Sequence, residues 1–282
     1  MSGTLQLPAP TWFVGCGNMA GAILDGWRSG GLDLGGVTVI RPSGTAVDGV
    51  PTVTGFADAG PAPKLVVLAF KPQKLDEVAP ELRRFLSAET VIVSVLAGVE
   101  TDSLRQRFPG ARAIVRAMPN LPVAVRRGVT GLYSSDADQQ ARTLLNNLFS
   151  ALGFAMWMAD EAKLGALGSV AGAGPAYVAR FIAALAKAGV RRGLTEEIAA
   201  TIARETVLGT AWMAAGRGED MASIARRVAS PNGTTEAGLA VLDRDHVLDE
   251  LMAVTIDAAA RRGAELAEEA RSPSLEEPTR LS

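Results

Sequence analysis

The sequence predicts an α/β fold in which a doubly wound parallel sheet is followed by an all-helical domain. Up to about residue 158, short β-branched runs alternate with helical patterns, which is typical of a parallel sheet covered by helices on both faces. Beyond that point strand patterns vanish and long Ala/Leu-rich patterns follow. We therefore expect two domains, at residues 1–158 and 159–270. The segment 271–282 is rich in Ser, Pro and Glu and is expected to be a disordered tail.

The first domain contains six predicted strands. The run Leu65–Phe70 is apolar on both faces, as expected of a strand buried between two layers of helices. The strands are predicted at residues 11–14, 37–41, 65–70, 90–95, 112–117 and 129–133. The helices of this domain are predicted at residues 19–28, 75–87, 102–108 and 136–152.

The second domain is predicted to contain five helices. Thr195 precedes Glu196 and Glu197, and an N-cap threonine followed by acidic residues in the first turn is typical of a helix start. The helices are predicted at residues 176–188, 196–215, 221–228, 235–242 and 247–270.

Composition excludes several kinds of site. The 282 residues include one histidine, His246, and one cysteine, Cys16, which cannot together form a Cys/His zinc site or a disulfide, so no metal is expected. The net charge of −2 argues against a nucleic-acid partner. Residues 1–10 lack a basic start and an apolar run, and every 18-residue apolar stretch is interrupted by charge, Gly or Pro. We expect a cytoplasmic protein without a membrane span, with His246 on the surface and Cys16 as a small filler.

A glycine-rich loop follows the first predicted strand and opens the first helix. Gly15, Gly17 and Ala20 form the pattern G-x-G-x-x-A, with Asn18 and Met19 completing the turn. In this position the first glycine permits a tight turn, the second lets backbone approach a pyrophosphate, and the small third residue allows the helix to pack on the strand. These five residues are predicted to bind a dinucleotide, which makes the sheet a Rossmann-type domain.

The end of the second strand indicates which nicotinamide cofactor binds. An acidic residue there would hold the ribose 2′-hydroxyl of NAD, whereas an arginine accommodates the 2′-phosphate of NADP. This strand ends in Arg41, with no acid nearby. NADPH is therefore the expected cofactor, with NADH as the alternative; a solvated surface charge is the other interpretation of Arg41.

Three further segments follow strand ends, where ligands bind in open α/β sheets. Lys71 is notable because the chain has only five lysines. An ordinary turn between strand and helix remains an open alternative for each segment. The cofactor-binding candidates in these segments are Ala69, Lys71, Pro72, Ala97, Gly98, Met118, Pro119 and Asn120.

Two segments interrupt the helical patterns of the second domain. In Gly172–Tyr177, Pro175 is predicted at the first position of a helix whose backbone is exposed. Residues 230–236 predict a second helix start, with hydroxyls available as caps. Helix N-termini of this kind can hold an anion such as a substrate carboxylate, and simple capping is the alternative.

Taken together, these residues resemble the pyrroline-5-carboxylate reductase family over about residues 12–268. The resemblance implies an N-terminal Rossmann domain and a C-terminal helical dimerisation domain, which in some members assembles into rings of dimers. It implies that the cofactor lies over the glycine loop, with its nicotinamide end near residues 97–98 and 118–120. The five motifs that carry the resemblance are residues 13–20, 71–73, 118–120, 172–177 and 230–235.

The family's reaction is hydride transfer from NAD(P)H to the C=N carbon of 1-pyrroline-5-carboxylate, a cyclic imine carboxylate, giving L-proline in the last step of proline biosynthesis. The resemblance implies that the backbone of Gly233, Thr234 and Thr235 holds the carboxylate. It also implies that the Thr235 hydroxyl hydrogen-bonds the ring nitrogen, which makes Thr235 the catalytic candidate. Ala173 and Gly174 are the remaining substrate-binding candidates.

The chain departs from the family pattern around the implied substrate site. Ala171 and Ala173 stand where the family has serines, Gly168 and Leu121 where it commonly has threonines, and Asn232 where it has a glycine. A lost hydrogen bond to the substrate would weaken binding by roughly 1–3 kcal/mol. These departures leave two alternatives open: a reductase of a different cyclic imine, and a catalytically weakened NADP-binding regulatory protein.

A third alternative is a β-hydroxyacid dehydrogenase. Such enzymes have a catalytic lysine shortly after a glycine-rich segment, whereas here Lys187 is the first lysine after Gly174. This spacing argues against the dehydrogenase. The retained Thr234, Thr235 and the intact glycine loop argue against the regulatory protein.

Overall fold

The computed structural model describes residues 5–271. A disordered tail was predicted at residues 271–282, and all of it after Arg271 lies outside the described residues. Two compact units are present: one comprises the chain up to Ala173 together with the chain from Ala259 onward, and the other is Gly174–Ala258. The domain boundary after residue 158 stays a prediction, and each unit is described by itself.

The first unit is built on an eight-stranded sheet. Its strands are β1 (Thr11–Val14), β2 (Val37–Ile40), β3 (Thr52–Val53), β4 (Leu65–Leu68), β5 (Val91–Ser94), β6 (Ala113–Pro119), β7 (Gly128–Tyr133) and β8 (Gly153–Trp157). The strand order is β3-β2-β1-β4-β5-β6-β7-β8. All six predicted strands are confirmed, and β3 and β8 are additional. Because the chain moves outward from β1 on one side and returns to β4 on the other, the order reverses between β1 and β4, where ligands bind in such sheets.

The predicted parallel sheet contains one antiparallel pair. Strands β6 and β7 are antiparallel, with Arg116 opposite Tyr133 and Pro119 opposite Thr130. Only residues 120–127 connect the two strands, which is too short for the crossover that parallel pairing requires. Strands β1, β2, β4, β5 and β6 remain mutually parallel, so their carboxyl ends lie at one edge of the sheet.

Helices cover both faces of the sheet. The helices of the first unit are α1 (Asn18–Ser29), α2 (Leu75–Leu82), α3 (Thr101–Arg107), α4 (Gln139–Ser150) and α5 (Glu161–Leu167), of which α5 was not predicted. Trp12 and Phe13, successive residues of β1, lie in separate apolar clusters because neighbouring strand residues point to opposite faces. In one cluster the Trp27 indole donates a hydrogen bond to the Leu148 carbonyl at 2.8 Å, which joins α1 to α4.

The second unit consists of helices. They are α6 (Gly174–Arg191), α7 (Glu196–Arg217), α8 (Met221–Val228), α9 (Thr234–Leu242) and the first half of α10 (Val247–Arg271). The predicted N-cap is confirmed, since the Thr195 hydroxyl accepts a hydrogen bond from the Ile198 amide at 3.3 Å. The second unit buries few apolar residues, namely Ala199, Ala203 and Ile224. Many large apolar side chains of its helices are exposed.

One helical stretch of the described residues, Glu161–Arg191, is long and apolar enough to cross a membrane by length and composition alone. This is weak evidence of a span, because helices of soluble proteins satisfy the same criterion.

Candidate active site

The glycine loop lies between β1 and α1, as predicted. Gly15 has a φ of +82°, and a Cβ there would lie 2.7 Å from the Ala69 carbonyl oxygen. Glycine is therefore required where the ends of β1 and β4 approach each other. At Gly17 no described atom lies within 4 Å of the Cβ position, so the protein leaves open space on that side of the loop. Ala20 is fully buried, which brings α1 against the sheet.

The first turn of α1 offers free backbone amides beside this loop. Gly17 is the N-cap, and the amide of Gly21 donates to the Gly17 carbonyl at 2.9 Å. The amides of Asn18, Met19 and Ala20 therefore have no acceptor within the helix. Free amides together with the positive end of the helix dipole favour an anion, so the loop fits the pyrophosphate of a dinucleotide.

Arg41 lies at the end of β2, near the glycine loop. Burial raises the pKa of the Cys16 thiol, and the positive charge of Arg41 partly opposes this rise. The thiol therefore stays protonated at neutral pH, which agrees with Cys16 as a filler. Within residues 5–271 the Arg41 guanidinium makes no hydrogen bond or ion pair, which leaves it available for a phosphate beside the loop.

The ends of β4 and β5 place the next candidates at the same edge of the sheet. Lys71 is exposed and immediately precedes a 3₁₀ turn that begins at Pro72. Ala97 is exposed, and Gly98 has a φ of +74°. A Cβ at Gly98 would lie 2.8 Å from the Leu266 carbonyl oxygen, so the end of α10 packs directly on this turn. Sequence reasoning missed this contact, because nothing in the spacing of residues 98 and 266 indicates it.

Met118 and Pro119 are the last residues of β6 rather than part of the turn after it. Met118 contacts the backbone of Gly168, where a Cβ would overlap its sulfur. Asn120 follows, and its buried side chain bonds to protein backbone on both sides.

A charged cluster that sequence reasoning did not single out lies beside these residues. Arg116 is 7% exposed and forms an ion pair with Glu161. Glu161 also accepts hydrogen bonds from the Thr101 amide at 2.8 Å and the Thr101 hydroxyl at 2.9 Å. The carboxylate thus holds the start of α3, which follows the Ala97–Gly98 turn. The signal in the sequence was an arginine within an otherwise apolar strand, since such a charge needs a partner.

The helix start predicted in Gly172–Tyr177 is present, since α6 begins at Gly174 with Pro175 in its first turn, but it is not a free N-terminus. The chain is already helical before it: α5 continues through a π-helical turn, Gly168–Gly172, into α6. The amides near Gly174 therefore do not form a free N-terminus. Pro175 lies in the first turn of α6, where proline is tolerated, and the Ala171 carbonyl, which an amide at residue 175 would bond in a continuous α-helix, accepts a hydrogen bond from Asn120 instead. Ala173 and Gly174 are half-buried and bring no polar side chain.

The helix start predicted within residues 230–236 is confirmed in the second unit. Helix α9 begins at Thr234 with Gly233 as N-cap, and its first hydrogen bond runs from the Ala237 amide to the Gly233 carbonyl at 3.2 Å. The amides of residues 234–236 therefore have no acceptor within the helix. Thr234 is exposed and Thr235 is half-buried.

Two side chains shape the turn before α9. Asn232 has a φ of +57°, a left-handed conformation that asparagine tolerates better than most residues, which explains how it replaces the family glycine. The backbone amide of Asn232 donates a hydrogen bond to the Glu236 carboxylate at 2.6 Å. The Ser230 hydroxyl lies against Gly233, so a Cβ at 233 would overlap it.

Comparison with known proteins places the chain among named relatives. Residues 161–266 match the family described as pyrroline-5-carboxylate reductase dimerisation, and residues 12–98 match that described as NADP oxidoreductase coenzyme F420-dependent. A pyrroline-5-carboxylate reductase from Pseudomonas aeruginosa is 36% identical over 264 residues, covering 91% of this chain and 96% of that protein. One from Pisum sativum is 34% identical, covering 90% and 94%.

The chain belongs to the pyrroline-5-carboxylate reductase family. The solved structure of such a reductase from Coxiella burnetii superposes with a TM-score of 0.83 at 33% identity, covering 93% of this chain and 99% of that one. Family membership confirms the fold class, a Rossmann-type domain followed by a helical dimerisation domain. The NADP oxidoreductase match covers the glycine loop, Arg41, Lys71 and Gly98, whereas the cofactor candidates at residues 118–120 lie outside it.

In this reductase the dimerisation match coincides with the exposed apolar helices. A surface of that kind is stable in water when a partner covers it, so the chain forms a homodimer. Within residues 5–271 no three His, Cys, Asp or Glu side chains lie close enough together to hold a metal ion.

Proposed function

We propose that the protein reduces 1-pyrroline-5-carboxylate to L-proline with NADPH, the last step of proline biosynthesis. The observation that carries the proposal is the similarity to reductases of that name along 91% of the chain. The free amides at the start of α1 and the uncommitted charge of Arg41 support NADPH as the cofactor. NADH is the weaker cofactor in this proposal, because it lacks the 2′-phosphate.

Bound NADPH supplies the hydride, and the chain supplies binding and orientation. The backbone of Gly233, Thr234 and Thr235 holds the substrate carboxylate, with the free amides of Thr234 and Thr235 as donors, as a helix N-terminus holds an anion. The Thr235 hydroxyl hydrogen-bonds the ring nitrogen and so orients the C=N bond for attack. An imine is protonated readily, so the chain need not provide a strong acid. The backbone of Ala173 and Gly174 completes the substrate contacts.

The same family membership supports proposals about assembly and location. The apolar stretch Glu161–Arg191 falls within the dimerisation match, so we propose that its exposed residues contact a partner subunit rather than lipid. We further propose a cytoplasmic enzyme without a nucleic-acid or membrane partner, whose dimers assemble into a ring. Sedimentation of the purified protein tests the ring, since a ring of dimers sediments as a species several times the dimer mass.

A second candidate function is the reduction of a different cyclic imine. Ala171 and Ala173 favour it, because they stand where the family has serines and so alter the polarity around the implied substrate site. A panel of cyclic imines that differ in ring size and in the carboxylate separates the two candidates. Turnover of another imine without turnover of pyrroline-5-carboxylate supports the second candidate.

The test of the proposed function is an assay of the purified protein. Oxidation of NADPH and of NADH is followed with pyrroline-5-carboxylate, and proline is identified as the product. We expect a higher kcat/KM with NADPH than with NADH. Tight NADPH binding without turnover of any imine would instead support a regulatory protein.

A further inference from the structure

The Asn120 side chain joins two segments of the first unit that are distant in sequence. Its Oδ1 accepts a hydrogen bond from the Val129 amide at 2.8 Å, and its Nδ2 donates to the Ala171 carbonyl at 2.9 Å. A backbone amide can only donate and a carbonyl can only accept, so these partners fix the orientation of the carboxamide. Asn120 therefore connects the β6–β7 turn to the last part of the π-helical turn.

The Ala171 carbonyl needs this donor because of Pro175. In an α-helix the amide of residue 175 would donate to the carbonyl of residue 171, and proline has no amide hydrogen. The chain passes from the π-helical turn Gly168–Gly172 into α6 at this point. Asn120 replaces the missing donor from outside the helix. Such turns occur often at functional sites.

A second contact ties the same turn to β6. Met118 lies against Gly168, at the start of the turn, while Asn120 holds Ala171 near its end. The carboxyl end of β6 thus contacts the π-helical turn at two points about one turn apart. Asn120 itself is only 6% exposed, so its carboxamide has little surface left to contact a cofactor.

We propose that Asn120 is a positioning residue for the reduction rather than a cofactor ligand. It holds the π-helical turn, and with it Ala173, in a fixed position relative to the end of β6. The inference rests on the proposed function in one respect, since that function assigns Ala173 to the substrate, while the family resemblance implies that the nicotinamide end of the cofactor lies near residues 118–120.

The variant Asn120→Asp tests the proposal with almost no change of shape. The aspartate still accepts from Val129, but when ionised it cannot donate to Ala171. We expect kcat/KM for pyrroline-5-carboxylate to fall about tenfold, the size of one lost hydrogen bond to a half-buried carbonyl, while the NADPH Kd changes less than twofold. Asn147→Asp, at an exposed position of α4, is the matched control and should behave as wild type.

The pH dependence of this variant separates positioning from a general loss of structure. Once protonated, the carboxyl introduced by Asn120→Asp can again donate to Ala171, so the ratio of variant to wild-type kcat/KM should rise as pH falls from about 8 to about 6. A ratio that stays flat, or an NADPH Kd that rises as much as kcat/KM falls, would overturn the proposal.

A second variant covers the case in which Asn120→Asp does not fold. Pro175→Ala restores an amide four residues after Ala171, so Asn120→Asp combined with Pro175→Ala should fold even if Asn120→Asp alone does not, and its kcat/KM should fall less than tenfold. A double variant that also fails to fold, or that loses tenfold or more in kcat/KM, would contradict the assigned contact. Hydrogen exchange of residues 168–174 provides a readout independent of substrate: we expect faster exchange in Asn120→Asp, and unchanged exchange overturns the positioning role.

A wild-type protein that is inactive on pyrroline-5-carboxylate would refute the proposed function alone. Hydrogen exchange and NADPH affinity would still decide the role of Asn120.

Discussion

The role of the Thr235 hydroxyl is tested by replacing Thr235 with alanine. The amides at the start of α9 remain, so the carboxylate is still held, but the hydrogen bond to the ring nitrogen is lost. We expect turnover to fall about tenfold, which corresponds to a hydrogen bond worth about 1–1.5 kcal/mol, with NADPH affinity kept. Steady-state kinetics and an NADPH titration measure the two effects. Thr235→Ser, which keeps the hydroxyl, is the control, and unchanged turnover in the alanine variant would show that the assigned role is wrong.

Arg41 decides the preference for NADPH if its guanidinium binds the 2′-phosphate. Arg41→Asp should weaken NADPH binding by about 10- to 100-fold, the range expected for lost charge-assisted hydrogen bonds, and should change NADH binding much less. Equilibrium titration with each cofactor gives both dissociation constants. Arg84→Asp makes the same charge change at an exposed position of the same unit and should leave both constants near wild type. Equal weakening of both cofactors would contradict the assignment.

How far single residues could be predicted depended on whether their partners are close in sequence. Gly15 and Ala20 were predictable because a strand, a turn and a helix follow one another directly, and the motif spacing reports their packing. Asn120 was predicted near the cofactor, yet its carboxamide bonds to Val129 and Ala171. Gly98 was predicted to lie in a ligand-binding turn, yet the backbone of the distant Leu266 occupies the space that a Cβ at residue 98 would need. Long-range partners of this kind leave no periodic signal in one sequence.

At the scale of elements, Glu161 links three of them: β6 through Arg116, α3 through Thr101, and its own helix α5. Glu161→Gln keeps the shape of the side chain and removes its charge, which leaves the buried Arg116 without its counter-charge. We expect this change to lower stability by about 2 kcal/mol, the size of a lost charge-assisted hydrogen bond.

Urea unfolding followed by tryptophan fluorescence measures this loss, because Trp12 and Trp27 are both buried in the first unit. Glu81→Gln removes a charge from an exposed position of α2 and serves as the control. An unfolding midpoint for Glu161→Gln equal to that of the control would show that the carboxylate charge does not hold these elements together.

Elements were predictable where the hydrophobic pattern was strong and missed where glycine or exposure weakened it. Strand β8 begins at Gly153 and exposes Phe154 and Met156 at the edge of the sheet, so it lacks the apolar run of a central strand. Helix α5 is followed within a few residues by glycines that were interpreted as a break. The chain instead continues as a π-helical turn, whose Ala171 carbonyl accepts a hydrogen bond from the distant Asn120, and a contact of this kind could not be inferred locally.

At the scale of the whole molecule, the two units bury their apolar residues to very different extents. The sheet of the first unit is covered on both faces by closed apolar clusters. The second unit buries Ala199, Ala203 and Ile224 but exposes large side chains such as Phe181 and Leu185. Sequence patterns predicted its helices, since periodicity reports an apolar face. Periodicity does not report whether that face is covered by the same chain or by another, and only the family resemblance pointed to dimerisation.

The dependence of the second unit on a partner can be tested on one helix face. Phe181 and Leu185 lie four residues apart on α6, so they share a face, and they are 51% and 40% exposed. Replacing both with glutamate places two charges on a surface that a partner subunit covers, where each would have to be buried without a counter-charge. We expect the double variant to sediment as a monomer at micromolar concentration, whereas the wild type sediments as a dimer or a larger species. Val125→Glu introduces a glutamate at a 70% exposed apolar position outside the dimerisation match and should leave the assembly intact. A double variant that still dimerises would show that this face of α6 lies outside the subunit interface.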